Sequence, residues 1–167
     1  SLRMTLDFKK AGDQIFMIGE SMNDISSSEY LYSWHGVKNT PAPHFDLDTE
    51  YKVQQVVKRL IRKGLVQSAH DVSDGGLFIT LTESAMPRGL GFSIETDFDC
   101  RADAFLFGEA QSRIVVSVSD EHMDQFVNEL VSADVEFSNL GTVNAGEMII
   151  DEENWGAIQT ASDVFRN

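Results

Sequence analysis

The sequence predicts an α+β fold with three layers, in which a mixed sheet contains a partly ferredoxin-like βαββαβ core. Short apolar runs alternate with longer segments whose apolar residues recur every three or four positions. Between residues 65 and 143 these patterns follow the order strand, helix, strand, strand, helix, strand, which is typical of ferredoxin-like domains. With 167 residues, of which 42% are hydrophobic, the chain can bury such a core without disulfides.

The first third of the chain combines alternating apolar residues with a proline-containing loop. Met4, Leu6 and Phe8 alternate with polar residues, as expected for a strand, and the apolar run from Ile15 to Ile18 ends at Gly19. Proline favours extended backbone in the residue before it. The predicted elements are strands at 4–8 and 15–18, a short helix carrying Tyr30 and Leu31, and a loop over 35–47 with Pro41 and Pro43.

The remaining two thirds alternate helical and extended patterns. The clearest helix starts near Asp48, presents Val53, Val57 and Leu60 on one face, and is expected to end at Gly64. Pro87 predicts the end of a second helix. The predicted strands are 65–70, 90–94, 113–119, 135–143 (interrupted near Gly141) and 148–150, and the further helices are 74–86, 102–107, one after Ser119, and a terminal one with Trp155, Ile158 and Phe165.

The charge balance excludes several kinds of partner. Twenty-seven acidic residues oppose 13 basic ones, so the net charge is −14. Such a chain has no excess of Lys and Arg with which to neutralise nucleic-acid phosphates or bind an anionic membrane surface. The single cysteine, Cys100, excludes an intrachain disulfide and fits a reducing compartment. We therefore expect a cytoplasmic protein that binds neither nucleic acid nor membranes.

The segment His70-Asp71-Val72-Ser73-Asp74-Gly75-Gly76 lies where a buried strand is predicted to end and a helix to begin. A helix N-terminus has free N–H groups and a partial positive charge, so a glycine-rich turn there can hold a phosphate. Asp71 and Asp74 would repel a bare anion but suit a Mg²⁺ that bridges to phosphate oxygens. The structural alternative is that Ser73 or Asp74 caps the helix and that His70 is a core histidine bonded to the backbone.

The second candidate segment is Gly108-Glu109-Ala110-Gln111-Ser112-Arg113, just before a buried strand. Arg113 could bind a phosphate or carboxylate through two of its N–H groups. The alternative is an internal ion pair between Glu109 and Arg113. A third segment, Ser28 to Leu31, is interpreted as a solvated helix face. No catalytic constellation is found, because the histidines lack zinc spacing and Cys100 has no evident base.

Several motifs in this order resemble the C-terminal part of the phosphoribosylformylglycinamidine synthase family. They are the two candidate segments together with Ser28-Glu29-Tyr30-Leu31, Pro41-Ala42-Pro43 and Leu140-Gly141-Thr142-Val143. That family is similar to aminoimidazole ribonucleotide synthetase, whose superfamily has a three-layered, partly ferredoxin-like C-terminal domain. The resemblance implies that residues 1–20 end a preceding ATP-binding-type domain or connect to it, and that residues 21–167 form the C-terminal domain.

The implied reaction is a ligation in purine biosynthesis that uses ATP, Mg²⁺ and glutamine. ATP activates the amide oxygen of formylglycinamide ribonucleotide, and ammonia from a glutaminase domain or subunit displaces phosphate. The implied partners are therefore the preceding domains of the same polypeptide, the glutaminase and the nucleotide substrate. The first alternative is another enzyme of the superfamily, such as aminoimidazole ribonucleotide synthetase, and the second is a non-catalytic interaction module.

Site residues follow from the resemblance by position. Ala110 stands where the family commonly has Ser, and Ser26-Ser27 where Gly is common. These departures favour a domain that is inactive alone, so no catalytic residue is predicted. The expected nucleotide or phosphate ligands are His70, Ser73, Gly75, Gly76, Gln111, Ser112 and Arg113, and the expected metal ligands are Asp71, Asp74 and Glu109.

Overall fold

The computed structural model describes residues 3–97 and 99–165. Its strands are β1 (Gln14–Ile18), β2 (Ser68–Asp71), β3 (Gly91–Ile94), β4 (Ile114–Val118), β5 (Phe137–Asn144), β6 (Glu147–Ile150) and β7 (Glu153–Ala157). Its α-helices are α1 (Leu47–Arg62), α2 (Gly76–Ala85), α3 (Ala102–Phe107), α4 (Met123–Ala133) and α5 (Ile158–Phe165). A π-helical turn covers Tyr30–Trp34, and short 3₁₀ helices cover Met86–Arg88 and Asp120–His122.

The seven strands form one mixed sheet in the order β2-β4-β1-β5-β3-β6-β7. The β3–β6 pair is parallel, and the other pairs are antiparallel. Strand β5 carries a bulge where Ile15 faces Gly141 and Phe16 faces Asn139, close to the predicted interruption. The α+β class and the mixed sheet are thus confirmed.

The ferredoxin-like part uses different elements from those expected. Strands β1 and β2 lie on either side of β4, both antiparallel to it, and α1 lies between them in the chain. This is a split βαβ unit, which α4 and β5 complete. We expected α2 and β3 to be its first helix and second strand, and that assignment was wrong. Those elements lie between β2 and β4 in the chain and widen the sheet on the other side of β5.

The N-terminal segment belongs to this sheet. Strand β1 hydrogen-bonds to both β4 and β5, so residues 14–18 are central in the domain rather than part of a connection to a preceding one. The strand expected at 4–8 is absent from the described residues, where this stretch is irregular. Phe8 nevertheless anchors it, because its side chain is fully buried and its N–H donates to the Ser84 carbonyl at 2.8 Å.

The C-terminal end differs from the prediction as well. Trp155 was expected in a helix but lies in the edge strand β7, which pairs with β6. The terminal helix α5 begins only at Ile158, which is buried. None of the described helices has the length and hydropathy needed to cross a membrane.

Two apolar clusters cover the two faces of the sheet and produce the three layers. Successive side chains of β1 point to opposite faces of the sheet, so Ile15 and Met17 lie in one cluster and Phe16 and Ile18 in the other. The first cluster contains residues of α2, α3 and α5, and the second contains residues of α1 and α4. Because burying each such side chain contributes roughly 1.5–3 kcal/mol, β1 is stabilised from both faces.

Candidate functional site

The candidate site is an open cavity of about 590 Å³ at the end of the sheet where β2 ends and β4 begins. Helix α1 contributes Glu50 and Gln54 to its wall, and the preceding loop contributes Ser27 and Pro43. Most of the predicted site residues also line it: Asp71, Ser73, Asp74, Glu109, Gln111, Ser112 and Arg113. The fold thus brings the two candidate segments together, although the 31 residues from 77 to 107 separate them in the sequence.

The turn between β2 and α2 is shaped by close packing. Gly75 has φ +83° and is the residue before the first turn of α2, where a side chain would be strained. A Cβ on Gly76 would lie 2.7 Å from the Phe107 carbonyl carbon and 2.8 Å from the Gly108 oxygen. Gly75 is thus explained by its backbone conformation and Gly76 by close contact of α2 with the end of α3, which accounts for both glycines without a phosphate.

A protein carboxylate occupies the N-terminus of α2. Oε1 of Glu109 accepts hydrogen bonds from the backbone N–H groups of Gly75 and Glu29, both at 2.8 Å. The Gly76 N–H donates to the Ser73 carbonyl at 2.9 Å. The two glycine N–H groups that we expected to bind phosphate are therefore already engaged within the protein, and Glu109 provides the negative charge that the helix end favours.

Arg113 is a buried cation that organises a loop. Arg113 is only 2% exposed. Its guanidinium donates hydrogen bonds to the backbone carbonyls of Ala110, at 3.1 Å, and of Gly108, at 2.6 Å. Burial lowers its pKa to about 10, so the guanidinium remains charged at neutral pH. The ion pair with Glu109, which was the structural alternative, is not among the salt bridges of the described residues.

Ser112 is held in an uncommon backbone conformation beside α1. Its φ is +66°, and its hydroxyl donates to Oε2 of Glu50 at 2.5 Å. Gly19 packs directly against it, because a Cβ at position 19 would lie 2.0 Å from the Ser112 carbonyl oxygen. Gln111, by contrast, is exposed at the cavity edge.

His70 faces the opposite side of β2 from the cavity wall. Its Nδ1 lies 3.2 Å from both the Thr80 carbonyl oxygen and the Ser84 hydroxyl, and its Nε2 lies 3.4 Å from Glu83. The side chain therefore packs on α2, as the structural alternative proposed. This position gives no support to the prediction that His70 binds a nucleotide.

The residues present do not fit Mg²⁺–ATP on their own. Asp71 and Asp74 are exposed, and no three His, Cys, Asp or Glu side chains within residues 3–97 and 99–165 are grouped so that they could hold a metal ion. Arg113 is the only cationic side chain among the described residues that line the cavity, whereas four acidic residues line it: Glu50, Asp71, Asp74 and Glu109. A triphosphate would meet acidic side chains and engaged N–H groups here, so its binding requires donors from outside this chain.

The segment before α1 closes one side of the site, which the sequence analysis missed. Ser28 is 1% exposed, and the ring of Tyr30 stacks on Phe107 with centroids 4.8 Å apart. Oxygens of Asp24 accept the N–H groups of Ser26 at 2.9 Å and His44 at 3.0 Å, so Asp24 joins both ends of this loop. The interpretation as a solvated helix face therefore holds for the exposed Glu29 but not for Ser28 and Tyr30, which pack against the rest of the fold. The Asp24-Ile25-Ser26 spacing, typical of an Asx turn, was the available signal.

Comparison with curated proteins finds relatives of much greater length. The chain is 39% identical over 144 residues to phosphoribosylformylglycinamidine synthase subunit PurL of Alkaliphilus metalliredigens, with 86% of this chain and 20% of the relative covered. It is 37% identical over 147 residues to the PurL subunit of Caldanaerobacter subterraneus, with 88% and 20% covered. The chain thus spans about a fifth of the length of these relatives.

Comparison with solved structures confirms the fold. PurL of Thermotoga maritima complexed with FGAR superposes with a TM-score of 0.81 at 16% sequence identity, covering 96% of this chain and 29% of that one. The same protein complexed with ATP gives a TM-score of 0.73 at 14% identity, with 96% and 27% covered. The T. maritima structure named PurLQS gives 0.74 at 14% identity, with 96% and 28% covered.

A family model completes the assignment. The model described as AIR synthase related protein, C-terminal domain, matches residues 10–151, which include β1 through β6 and all the residues of the candidate site. This range also includes β1, in agreement with its central place in the sheet. The chain therefore belongs to the family of AIR synthase related protein C-terminal domains.

Proposed function

We propose that this chain is the C-terminal domain of a phosphoribosylformylglycinamidine synthase. The observation that carries the proposal is its 36–39% identity, over 144–148 residues, to three curated synthase subunits. On this proposal the longer protein converts formylglycinamide ribonucleotide to formylglycinamidine ribonucleotide in the cytoplasm, with ATP and with ammonia from glutamine. The chain alone does not turn over substrate.

The role of this domain is to form one wall of a nucleotide site. Its cavity is open and acidic, and the N–H groups at the start of α2 are held by Glu109 and Ser73. ATP would be bound chiefly by the preceding domains, and the complex of T. maritima PurL with ATP supports the choice of nucleotide. Magnesium would need ligands from those domains in addition to Asp71 or Asp74. The domain would then contribute shape and negative charge around the bound substrate.

An exposed apolar surface beside the cavity is where we place the contact with the preceding domains. We call it the aromatic rim; it consists of Tyr32, Trp34, Phe45, Leu47 and Tyr51. These side chains are 49–79% exposed, and Trp34 is the most exposed of them. All five lie within residues 32–51, next in sequence to Pro43 and Glu50 of the cavity wall, and large apolar side chains left exposed are typical of an interaction surface. The junction with the preceding domains would lie before β1, and a glutaminase would complete the assembly, as the structure named PurLQS supports.

A domain exchange tests the function. The matching region of the Alkaliphilus metalliredigens synthase would be replaced by this chain, and conversion of formylglycinamide ribonucleotide would be measured with ammonia as the nitrogen source. We expect the chimera to retain activity within about tenfold of the parent. The control chimera carries Gly19→Ala, which should disrupt the 110–113 loop. A folded, ATP-binding chimera with no activity would refute the proposal.

The two alternatives make different predictions in the same assay. A domain of aminoimidazole ribonucleotide synthetase should restore activity in a chimera of that enzyme and not in the synthase, although the three curated relatives bear the name of the synthase. A non-catalytic interaction module should restore neither. When the isolated chain is titrated calorimetrically with formylglycinamide ribonucleotide or Mg²⁺–ATP, we expect no heat from turnover of either compound.

A further inference from the structure

A second cavity lies at the opposite end of the strands that form the candidate site. The candidate site adjoins the end of β2 and the start of β4, whereas this cavity adjoins the start of β1 and the end of β4. It measures about 500 Å³, and Lys9, Lys10, Asp13, Gln67, Asp120 and Glu121 line it. Nothing in the proposed function uses it.

Asp13 is the unusual member of this cavity. It is only 5% exposed, and its Oδ2 is the one buried side-chain oxygen or nitrogen of the described residues without a hydrogen-bond partner. Its backbone is fixed, because its carbonyl accepts the Val143 N–H at 2.9 Å. A buried carboxylate oxygen without a donor is energetically costly, and native proteins rarely retain one. The position is therefore built to receive a donor that these residues do not supply.

The charges around Asp13 indicate what kind of donor fits. Burial raises the pKa of its carboxyl, Lys10 opposes that shift, and the carboxylate of Asp120 adds to it. Lys9 is already engaged, since its ammonium lies 2.9 Å from an oxygen of Asp7 and 2.7 Å from the Thr5 hydroxyl. A cation that donates hydrogen bonds would satisfy Oδ2 and also reduce the repulsion between Asp13 and Asp120.

A metal ion is a poorer fit than an organic cation. In the part of the chain that the structure describes, no three carboxylate, histidine or cysteine side chains are grouped to hold one. The cavity volume is also much larger than an ion needs, and Gln67 adds an amide that can accept a further hydrogen bond. An amine or guanidine of several heavy atoms uses both the space and the acceptors.

We propose that this cavity binds a guanidinium or alkylammonium group, which donates to Asp13 while Asp120 and Glu121 contribute attraction at its entrance. The group could belong to a free polyamine-like molecule or to an arginine or lysine side chain of another protein segment. Both sources present the same chemistry to Asp13. The inference does not depend on the proposed function.

The test is calorimetric titration of the 167-residue chain with agmatine, which carries both a guanidinium and an ammonium group. We expect saturable binding in 0.15 M salt that weakens at least tenfold in Asp13→Asn, a variant of nearly identical shape. The matched control is Glu153→Gln, which removes one exposed negative charge from the remote strand β7 and should leave the affinity unchanged. Circular dichroism confirms that each variant is folded, and Asp120→Asn should weaken binding about threefold.

Two outcomes would overturn the proposal. Equal affinity of the wild type and Asp13→Asn would mean that agmatine is attracted only by the net charge of −14. Binding that arises only in Lys10→Met would mean that Lys10 itself neutralises Asp13 in solution. A peptide with a central arginine, blocked at both ends, separates the two sources: tighter binding of the peptide indicates a protein side chain, and tighter binding of agmatine a free amine.

Discussion

The Glu109 carboxylate caps α2 through the N–H of Gly75, with Oε1 and the nitrogen 2.8 Å apart. The same oxygen accepts the Glu29 N–H, so one side chain connects the β2–α2 turn, the 108–113 loop and the segment before α1. Acidic groups stabilise helix N-termini through hydrogen bonds and through the helix dipole. Glu109 therefore has a structural role at a place where the sequence favoured a ligand.

Replacing Glu109 with alanine should destabilise the domain by about 1–2 kcal/mol, because two N–H groups lose their acceptor and the helix end loses its counter-charge. Glu109→Gln keeps an acceptor and should lose less. Urea unfolding measured by circular dichroism checks both values. Gln111→Ala, two residues further along, is the control and should change stability by less than about 0.5 kcal/mol. Equal stability of Glu109→Ala and wild type would show that the cap contributes nothing.

Arg113→Ala should destabilise the domain by about 2–4 kcal/mol, since it leaves the carbonyls of Gly108 and Ala110 unpaired and opens a void. Arg101→Ala removes an exposed arginine paired with Asp103 and serves as the comparison, with an expected loss below about 1 kcal/mol. Thermal and urea unfolding measure both. In the longer protein, loss of activity at unchanged stability and assembly would instead identify Arg113 as a ligand.

Gly19→Ala and Gly12→Ala form a matched pair. Both glycines have positive φ, +107° and +97°, so alanine strains the backbone at either position. Only at position 19 would the new Cβ collide with another residue, 2.0 Å from the Ser112 carbonyl, whereas nothing lies within 4 Å at position 12. We expect the loss of unfolding free energy in Gly19→Ala to exceed the loss in Gly12→Ala by at least about 2 kcal/mol. Similar unfolding midpoints would contradict this packing.

Asp7 should make the stability of the domain sensitive to acid. Burial alone would raise the pKa of its carboxyl, but hydrogen bonds from Thr5, Lys9 and Arg88 hold that pKa well below its usual range. A carboxyl with a lowered pKa stabilises the folded state above its unfolded pKa, near pH 4, and this contribution is lost as the pH falls further.

Asp7→Asn tests this contribution by comparison of urea midpoints at pH 7 and pH 2.5. We expect the variant to be less stable than wild type at pH 7 by about 0.5–1 kcal/mol, because Arg88 is half exposed and the ion pair is screened. The difference between the two proteins should shrink at pH 2.5. A control with Glu153→Gln should show no such convergence, and a constant difference for Asp7→Asn would refute the assignment.

Periodicity predicted most elements because helices and buried strands leave a strong apolar pattern. The helix from Leu47, the strand from Ile114 and the stop at Pro87 were all foreseeable. Strand β7 was not, because its residues are mostly exposed and the spacing of Trp155, Ile158 and Phe165 suggested a helix. The element order also could not reveal that β1, rather than β3, belongs to the ferredoxin-like unit, since strand pairing depends on contacts distant in sequence.

The candidate site was predictable in its location but not in its bonding. The motifs singled out Asp71, Ser73 and Ser112, and all three line one cavity in the structure. The hydrogen bond from the Gly75 N–H to Glu109 joins residues 34 positions apart, so no local sequence pattern predicts it. The contact of His70 with α2 was equally hard to predict, because the alternation of side chains along β2 does not show which face of the strand packs against α2.

The central place of β1 has a consequence for how the domain is made. Gln14 pairs with Val118 on one side and with Thr142 on the other, so both partners are synthesised more than a hundred residues later. Contacts this distant slow folding, since long loops must close before any pairing is gained. A nascent chain that ends after α3 would expose the apolar β1 segment with neither neighbour available. We expect such truncated chains to aggregate or to bind chaperones until residue 144 has emerged.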